Sequence, residues 1–484
     1  MNRKGIILPI VLVMFLLLGM LALAFSFSAR AEYSALGARM TMDQARDCAI
    51  SGIESSALRL RQKFDDPHFW YHKPEVFADQ VVDVESGRRD TSNSWRFSLI
   101  GYNLDDQETV RYGLTDEAGK LNLNVASEDQ LKRLPGVTAE MAAALLDWRE
   151  KGDKPREGGA KDEYYMSLEQ PYRCKQAPLD TVEELLLVKG FTAKELFGED
   201  MNRNGQLDPN ENDGKRSLPV DNQDGKLDRG LYPFVTVYSR EPEVCDSDPY
   251  QPRMNIKSWP AALLTTMLTD KLRPEVLQYI ISAKSANKDF GNSPASLLGE
   301  EKGESGTKDN SDNVTSQPGT GEEQSVGSSS PVTADDLEDI MDLLTTGYHL
   351  HDDGSVYGRI NVNTAPRTVL ATLGRLTDSE IDQIISVRNR LDASSLRTTA
   401  WLVKQNVLTS SKYKTVAGLL TARSYQFTVE SVGYCEGRPT QARIQAVLEL
   451  RLPRVQYLYW RDLTSLGRAY NLGGIGEAKI AIKR

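Results

Sequence analysis

The stretch IILPIVLVMFLLLGMLALAFSF, residues 6–27, decides the fold because it holds about 22 consecutive residues without a charge. A helix needs roughly 20 such residues to cross a bilayer. Arg3 and Lys4 precede it, so the positive-inside rule predicts a cytoplasmic leader and a chain that lies across the membrane. The 484 residues as a whole are 26% charged, with a formal net charge of −10. These averages exclude a multi-span membrane protein and argue against nucleic acid as the main partner.

Three interpretations of this N-terminus compete. The first is a secretory signal peptide, for which ARA at residues 29–31 supplies a cleavage pattern, although the apolar core exceeds the usual length of about 7–15 residues. The second is an uncleaved anchor. The third comes from the leader MNRKG, which resembles that of type IV prepilins and would be cut between Gly5 and Ile6. Residues 31–64 favour the third, because they lack proline and place apolar residues at helical spacing, which predicts one helix over residues 6–64.

The fifth residue of that mature chain is Ile10, where pilin-like subunits usually carry a glutamate. The glutamate pairs with a neighbour's N-terminal amine inside an apolar filament, where an unpaired charge is costly. A subunit without it suits the filament tip. The leader, the apolar helix and Ile10 together resemble the K subunit family, which are minor pseudopilins of type II secretion systems.

The resemblance implies a structural role in protein secretion and no enzymatic activity. A prepilin peptidase would cut between Gly5 and Ile6 and methylate Ile6. The chain would be anchored once in the bacterial inner membrane, with its bulk in the periplasm. It would pack beside the I and J minor pseudopilins and start or cap a filament of major pseudopilins.

Strand-like segments before and after a long middle stretch predict an α+β fold. The strands lie at residues 95–104 and 109–114, in a hairpin of 425–432 with 442–452, and at 455–460. The fold class is a pilin-like long helix plus antiparallel sheet, with a large inserted helical domain. The predicted divisions are a leader at 1–5, the helix at 6–64, sheet at 65–124 and 425–465, helical domain at 125–286 and 333–424, a disordered insertion at 287–332 and a tail at 466–484.

An internal repeat occupies the helical domain. KLNLNVAS (residues 120–127) matches RINVNTAP (359–366), and each is followed by two helix-like segments around a short break. Residues 181–197 look like a third, shorter hairpin, and residue 255 opens a fourth, degenerate one. The hairpins resemble the helix-hairpin-helix of DNA-binding proteins, so a membrane-anchored DNA receptor of a competence-type system is the alternative function. Residues 120–150 nevertheless hold five acidic against four basic side chains, and phosphate binding needs a cationic surface.

Residues 200–211, DMNRNGQLDPNE, match the twelve-residue calcium loop D-x-[DN]-x-[DN]-G-x5-E. Calcium takes six to eight oxygens, and Gly205 permits the sharp turn. The ordinary alternative is a surface loop rich in Asn, Asp and Gly. The predicted ligands are Asp200, Asn202, Asn204, the carbonyl of Gln206, Asp208 and Glu211. A second, defective copy offers Asp221, Asn222, Asp224, Lys226 and Asp228, and the K subunit resemblance also implies calcium in the helical domain.

Four cysteines complete the candidate groups, and none lies in a metal-ligand spacing. Cys174 and Cys245 bracket the calcium stretch, and a periplasmic location permits disulfides, so this pair is the predicted bridge. No nucleophile–histidine–acid pattern, phosphate-binding loop or zinc-protease motif is found, and no catalytic residue is predicted.

Overall fold

A computed structural model describes residues 7–82, 94–104, 109–299, 330–470 and 472. Within these ranges the fold combines one long N-terminal helix, an antiparallel sheet and a set of short helices between the strands. The α-helices are α1 Ile7–Lys63, α2 Pro67–Trp70, α3 Pro74–Phe77, α4 Glu128–Lys132, α5 Ala139–Arg149, α6 Asp162–Met166, α7 Ala193–Phe197, α8 Ala261–Leu268, α9 Pro274–Ser285, α10 Asp336–Leu343, α11 Arg367–Thr372, α12 Asp378–Arg388, α13 Trp401–Lys404 and α14 Ser410–Val416.

The strands are β1 Gln80–Val81, β2 Trp95–Gly101, β3 Arg111–Tyr112, β4 Thr115–Asp116, β5 Leu121–Asn122, β6 Val235–Thr236, β7 Arg240–Pro242, β8 Met254–Asn255, β9 Leu344–Thr345, β10 Ser355–Tyr357, β11 Ile360–Asn361, β12 Leu420–Thr421, β13 Gln426–Cys435, β14 Gln441–Arg451 and β15 Arg454–Asp462. The main sheet has the order β1-β2-β13-β14-β15, with β3 beside β2 and β4 beside β13. The predicted C-terminal hairpin is confirmed, because β13 pairs antiparallel with β14 from Gln426–Glu449 to Tyr434–Gln441.

The second half of α1 packs on one face of this sheet through small side chains. Ala45 and Ala49 are fully buried, and Gly433 of β13 lies directly beneath them. A Cβ on Gly433 would overlap the Ala45 carbonyl oxygen and the Ala49 nitrogen, so glycine is what lets the helix approach the strand. The helix predicted from residue 6 to 64 is therefore confirmed over Ile7–Lys63, and its last turns belong to the sheet's core.

The opposite face of the sheet is polar and meets the helices that lie between β5 and β12. Glu430 and Arg443 are buried there as an ion pair with a 2.7 Å separation. The neighbouring positions are also polar and bonded to this side: Thr428 to Glu117, Gln445 to Tyr232, and Glu449 to Arg240.

The helical module, the described part of residues 121–421, consists of three repeats. Each begins with a two-residue strand and ends with another whose last residue is a threonine, and the two strands pair in parallel: β5 with β6, β8 with β9, and β11 with β12. In each repeat the residue after the first strand donates its N–H to that threonine's carbonyl. Two helices follow the first strand in every case, namely α4 and α5, α8 and α9, and α11 and α12.

The same hydrogen bonds close the three helix pairs. Asn122, Asn255 and Asn361 each accept, at Oδ1, the N–H two residues further on. A basic side chain from the second helix then caps the carbonyls after the strand. Arg149 donates to Leu123 and Ala126, Lys284 to Ile256 and Lys257, and Arg388 to Val362 and Ala365.

Four sequence expectations need correction here. The copy at residue 255 is complete rather than degenerate, and residues 181–197 form the second half of the first repeat rather than a separate one. The predicted disordered insertion is too wide at both ends, because Phe290, Leu297, Leu298 and Val332 are buried in the helical core. Residues 300–329 lie outside the described residues. The predicted tail also begins too early, since Ala469, Tyr470 and Leu472 pack against the sheet.

Candidate functional site

The N-terminal candidates lie at and beyond the start of the described chain. Gly5 and Ile6 are outside the described residues. Ile10 lies on α1 with 59% of its surface exposed, in the apolar part of the helix, which the rest of the described chain does not bury. This helix is long and apolar enough to cross a membrane by length and composition, with a mean hydropathy of 2.8 in its most apolar window.

The loop at residues 200–211 is folded inward around its first residue. Asp200 is buried, and its two carboxylate oxygens accept the N–H groups of Asn204 and Gly205, both at 2.9 Å. Asn202 and Asn204 each accept the N–H two residues further on. Gly205 has φ of +70°, the left-handed conformation that makes the turn. The structure therefore brings the first half of the predicted ligand set into one tight turn.

The second half closes over this turn. Asp208 accepts the side-chain amides of Asn202 at 2.6 Å and Asn204 at 2.9 Å. Glu211 is 1% exposed, and its Oε2 accepts the Asp208 N–H at 3.0 Å. Its other oxygen, Oε1, is buried without a hydrogen-bond partner. A buried carboxylate oxygen without a partner is costly, so something of positive charge is expected to face it.

The electrostatics of the loop point the same way. Burial raises the pKa of Glu211 to about 8, and the carboxylates of Asp200 and Asp208 add to the rise. Burial also raises the pKa of Asp200 to about 6, against the stabilising effect of its two backbone hydrogen bonds and of Arg229 and Arg443. Without a cation, Glu211 therefore favours its protonated form near neutral pH.

The donor set suits calcium, which takes hard oxygen ligands from carboxylates, amides and backbone carbonyls. Asp200, Asp208 and Glu211 would supply carboxylates, Asn202 and Asn204 amide oxygens, and Gln206 a carbonyl. Among the described residues no three His, Cys, Asp or Glu side chains converge closely enough to form a metal site by themselves. This holds for Asp200, Asp208 and Glu211 as well, so a cation in the loop would depend on the amide and carbonyl oxygens in addition to these carboxylates.

Two arginine side chains from outside the loop donate hydrogen bonds to its backbone carbonyls, and the sequence analysis did not predict these contacts. Arg443 is 1% exposed and donates to the carbonyls of Asn202 at 2.8 Å and Arg203 at 3.0 Å. Arg229 donates to the Gly205 carbonyl at 2.8 Å. Arg443 lies about 240 residues along the chain from the loop, so no local pattern could have linked the two.

The second predicted loop is open to solvent. Asp221 is half-buried and accepts three N–H groups, those of Asp213, Gly214 and Gln223. The other candidates, Asn222, Asp224, Lys226 and Asp228, are exposed. Their side chains bond within the loop and to its own backbone, so the structure does not bring them to a common centre.

The predicted disulfide is not formed in this structure. Cys174 and Cys245 are both free and buried. The Cys174 thiol donates to the Asp147 carbonyl, whereas the Cys245 thiol contacts the Pro252 carbonyl. The prediction was wrong because it relied on the two cysteines bracketing the calcium stretch in the sequence, which does not bring them together in space. Cys174 lies inside the first repeat, and Cys245 lies in the connection to the second.

The breaks between paired helices were the candidate phosphate contacts of a DNA-binding hairpin. The break at Gly374 is covered by a neighbour, because a Cβ there would meet the Arg133 guanidinium of the first repeat. Arg133 follows α4, which contacts α11, so two of the helix pairs pack against each other near these breaks. The backbone at Gly374 is therefore partly covered by the Arg133 side chain.

Comparison with known proteins agrees with the resemblance found in the sequence. The family model of type II secretion system (T2SS) protein K matches residues 114–196, from just before β4 to α7 in the first repeat. Residues 114–196 are therefore similar to protein K. The resemblance to the K family is thereby confirmed. The matched protein K segment ends before Asp200, so it does not include the candidate calcium loop.

A curated relative extends the protein K match. The type II secretion system protein K of Klebsiella pneumoniae is 26% identical over 200 residues, which are 40% of this chain. The chain spans 59% of that relative's length. A crystal structure of the GspK-GspI-GspJ complex from the type 2 secretion system of enterotoxigenic Escherichia coli has a chain with 11% identity, a TM-score of 0.38 and coverage of 90% of this chain and 98% of that one.

Proposed function

We propose that the chain is a minor pseudopilin that starts or caps the pseudopilus of a type II secretion system. The observation that carries the proposal is a single helix, Ile7–Lys63, that is apolar enough to span a membrane at one end and forms part of the sheet's core at the other. A cleaved signal peptide would not need this continuity. The similarity of residues 114–196 to protein K then indicates that the secretion system is of type II.

Two features support a position at the tip. Ile10 stands where a glutamate would link a subunit to the one ahead of it, and the helical module adds three repeats to one side of the sheet. A module of that size would crowd neighbours if it recurred along a thin filament. The partners in this proposal are the I and J minor pseudopilins, the major pseudopilin and the prepilin peptidase.

The processing step gives the most direct test. Full-length protein, expressed with a prepilin peptidase and extracted from membranes, is expected to show Ile6 as its first residue by mass spectrometry. The Gly5→Leu variant is the matched control, because a bulky residue at the junction should leave the leader attached. An N-terminus at Glu32, after the alternative cleavage pattern, would contradict the proposal.

We also propose that the loop at residues 200–211 binds calcium. The orphaned oxygen of buried Glu211 supports this, together with the oxygen-rich ligand set around it. Calcium would neutralise the crowded carboxylates and stabilise the folded state by its binding free energy.

Thermal unfolding of the full chain in detergent tests the calcium site. Calcium chloride is expected to raise the melting temperature by several degrees at about a hundredfold excess over Kd, since that excess adds about 2.7 kcal/mol. Asp200→Ala and Glu211→Ala should each abolish the rise, whereas Asp270→Ala, an exposed acid after α8, should retain it. Equal rises in all the variants would remove the loop from the proposal.

The DNA receptor is not proposed. The acidic balance of residues 120–150 disfavours it, because phosphate binding needs a cationic surface.

A further inference from the structure

We propose that Arg443 is a positioning residue of the calcium loop and couples calcium binding to the seating of a C-terminal segment, Ala469, Tyr470 and Leu472. The inference rests on the calcium site proposed above. It adds a regulatory consequence: calcium would decide whether the end of the described chain is held against the sheet.

The coupling begins at the loop backbone. Arg443 forks between two consecutive carbonyls, those of Asn202 and Arg203, while its guanidinium also pairs with Glu430 at 2.7 Å. These carbonyls lie between two predicted ligands, Asn202 and Asn204. Any shift that brings the ligands' side-chain oxygens around a cation moves the carbonyls that Arg443 holds.

The C-terminal segment meets the same groups from the other side. The Asn204 side-chain amide donates to the Ala469 carbonyl at 2.9 Å, and the Tyr470 hydroxyl donates to Glu430 at 3.0 Å. The Arg443 guanidinium lies 5.2 Å from the centre of the Tyr470 ring. The segment therefore contacts both the loop and the Arg443–Glu430 pair, in addition to the Gln441 side-chain amide of β14, which donates to the Tyr470 carbonyl at 2.9 Å.

The chemistry of these contacts makes the coupling two-way. Asn204 has one side-chain oxygen for the cation and one amide for Ala469, so fixing the oxygen fixes the donor that holds the segment. Thermodynamic linkage then requires that the segment, once seated, raises calcium affinity by the factor by which calcium favours its seating.

Hydrogen–deuterium exchange of the full chain in detergent measures the first half of the linkage. Peptides covering residues 463–470 are expected to exchange at least about threefold more slowly in calcium chloride than in a chelator. Peptides from α9, on the far side of the module, provide the internal reference and should not change. Calcium binding without any change in residues 463–470 would overturn the coupling and leave the calcium site standing.

Arg443→Lys tests the positioning role. Lysine retains the charge opposite Glu430 but cannot fork between two carbonyls, so the calcium Kd is expected to rise about tenfold and the protection of residues 463–470 to disappear. Arg240→Lys is the matched control, since Arg240 makes a similar forked pair with Glu449 on the same face without touching the loop. An equal rise in Kd for both variants would reduce Arg443 to general stability.

Truncation tests the reciprocal half and remains informative if Arg443→Lys fails to fold. A chain ending at Gly467 lacks the segment, so its calcium Kd should rise by the factor found for Arg443→Lys. A chain ending at Leu472 retains Ala469 and Tyr470 and should keep the full-length Kd. An unchanged Kd at Gly467 would overturn the coupling. Absence of calcium binding in the full chain would overturn the site and the coupling together.

Discussion

Asp116 shows how one residue joins the sheet to the helical module. It is the last residue of β4 and is 3% exposed, and its carboxylate accepts hydrogen bonds from Asn361 and Thr364 of the third repeat and from the Ala118 N–H. Burial nevertheless raises its pKa to about 6, because desolvation of the charge outweighs those bonds. The junction therefore holds a carboxyl group that binds its proton more tightly in the folded protein than an ordinary aspartate does.

This pKa predicts the pH dependence of stability. The folded pKa of about 6 exceeds the ordinary value of 3.8, so the folded state binds the proton more tightly than the unfolded state. Asp116 then favours folding below about pH 4, and its contribution falls as the pH rises to about 6, by up to about 3 kcal/mol. Urea unfolding between pH 4 and 7 should show this fall, and Asp116→Asn should flatten it. Parallel profiles for the two proteins would contradict the assignment.

At the scale of single elements, the contact between α1 and β13 depends on a glycine. Gly433→Ala places a methyl group against the Ala45 carbonyl. Neither the helix backbone nor the central strand can easily move to make room for it. We expect a loss of about 1–3 kcal/mol in the free energy of unfolding, as for other overpacked cores.

The control for this prediction is Gly37, which lies on α1. Gly37→Ala meets open space and favours helix, so it should be neutral or stabilising. Both variants can be compared by chemical unfolding in detergent. Equal stability of the two would show that α1 does not approach β13 as closely as described.

The elements also show what the sequence could and could not predict. The long helix and the C-terminal hairpin followed from apolar periodicity and strand alternation, which are local signals. The repeat at residue 255 looked degenerate, because only Asn255 and its neighbours are shared in sequence. Its defining features, parallel two-residue strands and the Lys284 cap, are contacts between distant segments. The ligand pattern of the candidate calcium loop was visible in the sequence. The Arg443 contact was not, because it also joins distant segments.

For the whole molecule, the outer side of α1 is the surface that a filament partner would cover. Leu36, Met40, Ile50 and Leu58 lie on one arc of the helix and are 37–57% exposed. At 1.5 Å per residue, Leu58 lies about 45 Å beyond the end of the apolar span, so lipid cannot cover it. A protein that leaves the membrane alongside α1 would cover the whole arc.

Exposed aromatic side chains of β15, the edge strand of the main sheet, lie beside this surface of α1. Tyr457 and Trp460 of β15 are 40% and 44% exposed and stack edge to face, and the Tyr457 hydroxyl donates to Glu54 on α1. Ile50→Asp and Leu58→Asp place charges in this surface without touching the core. Each change brings an aspartate within four residues of Glu54 and lowers helix propensity, so the free energy of unfolding should fall by no more than about 1 kcal/mol.

Copurification with the I and J minor pseudopilins of the same system measures the effect on assembly. The two variants are expected to recover at least about tenfold less partner than the unmodified chain, because a partner would have to desolvate the new carboxylates. Thr265→Asp on the exposed side of α8 is the control and should recover partner normally. Undiminished recovery with the α1 variants would mean that partners assemble on a face other than the outer side of α1.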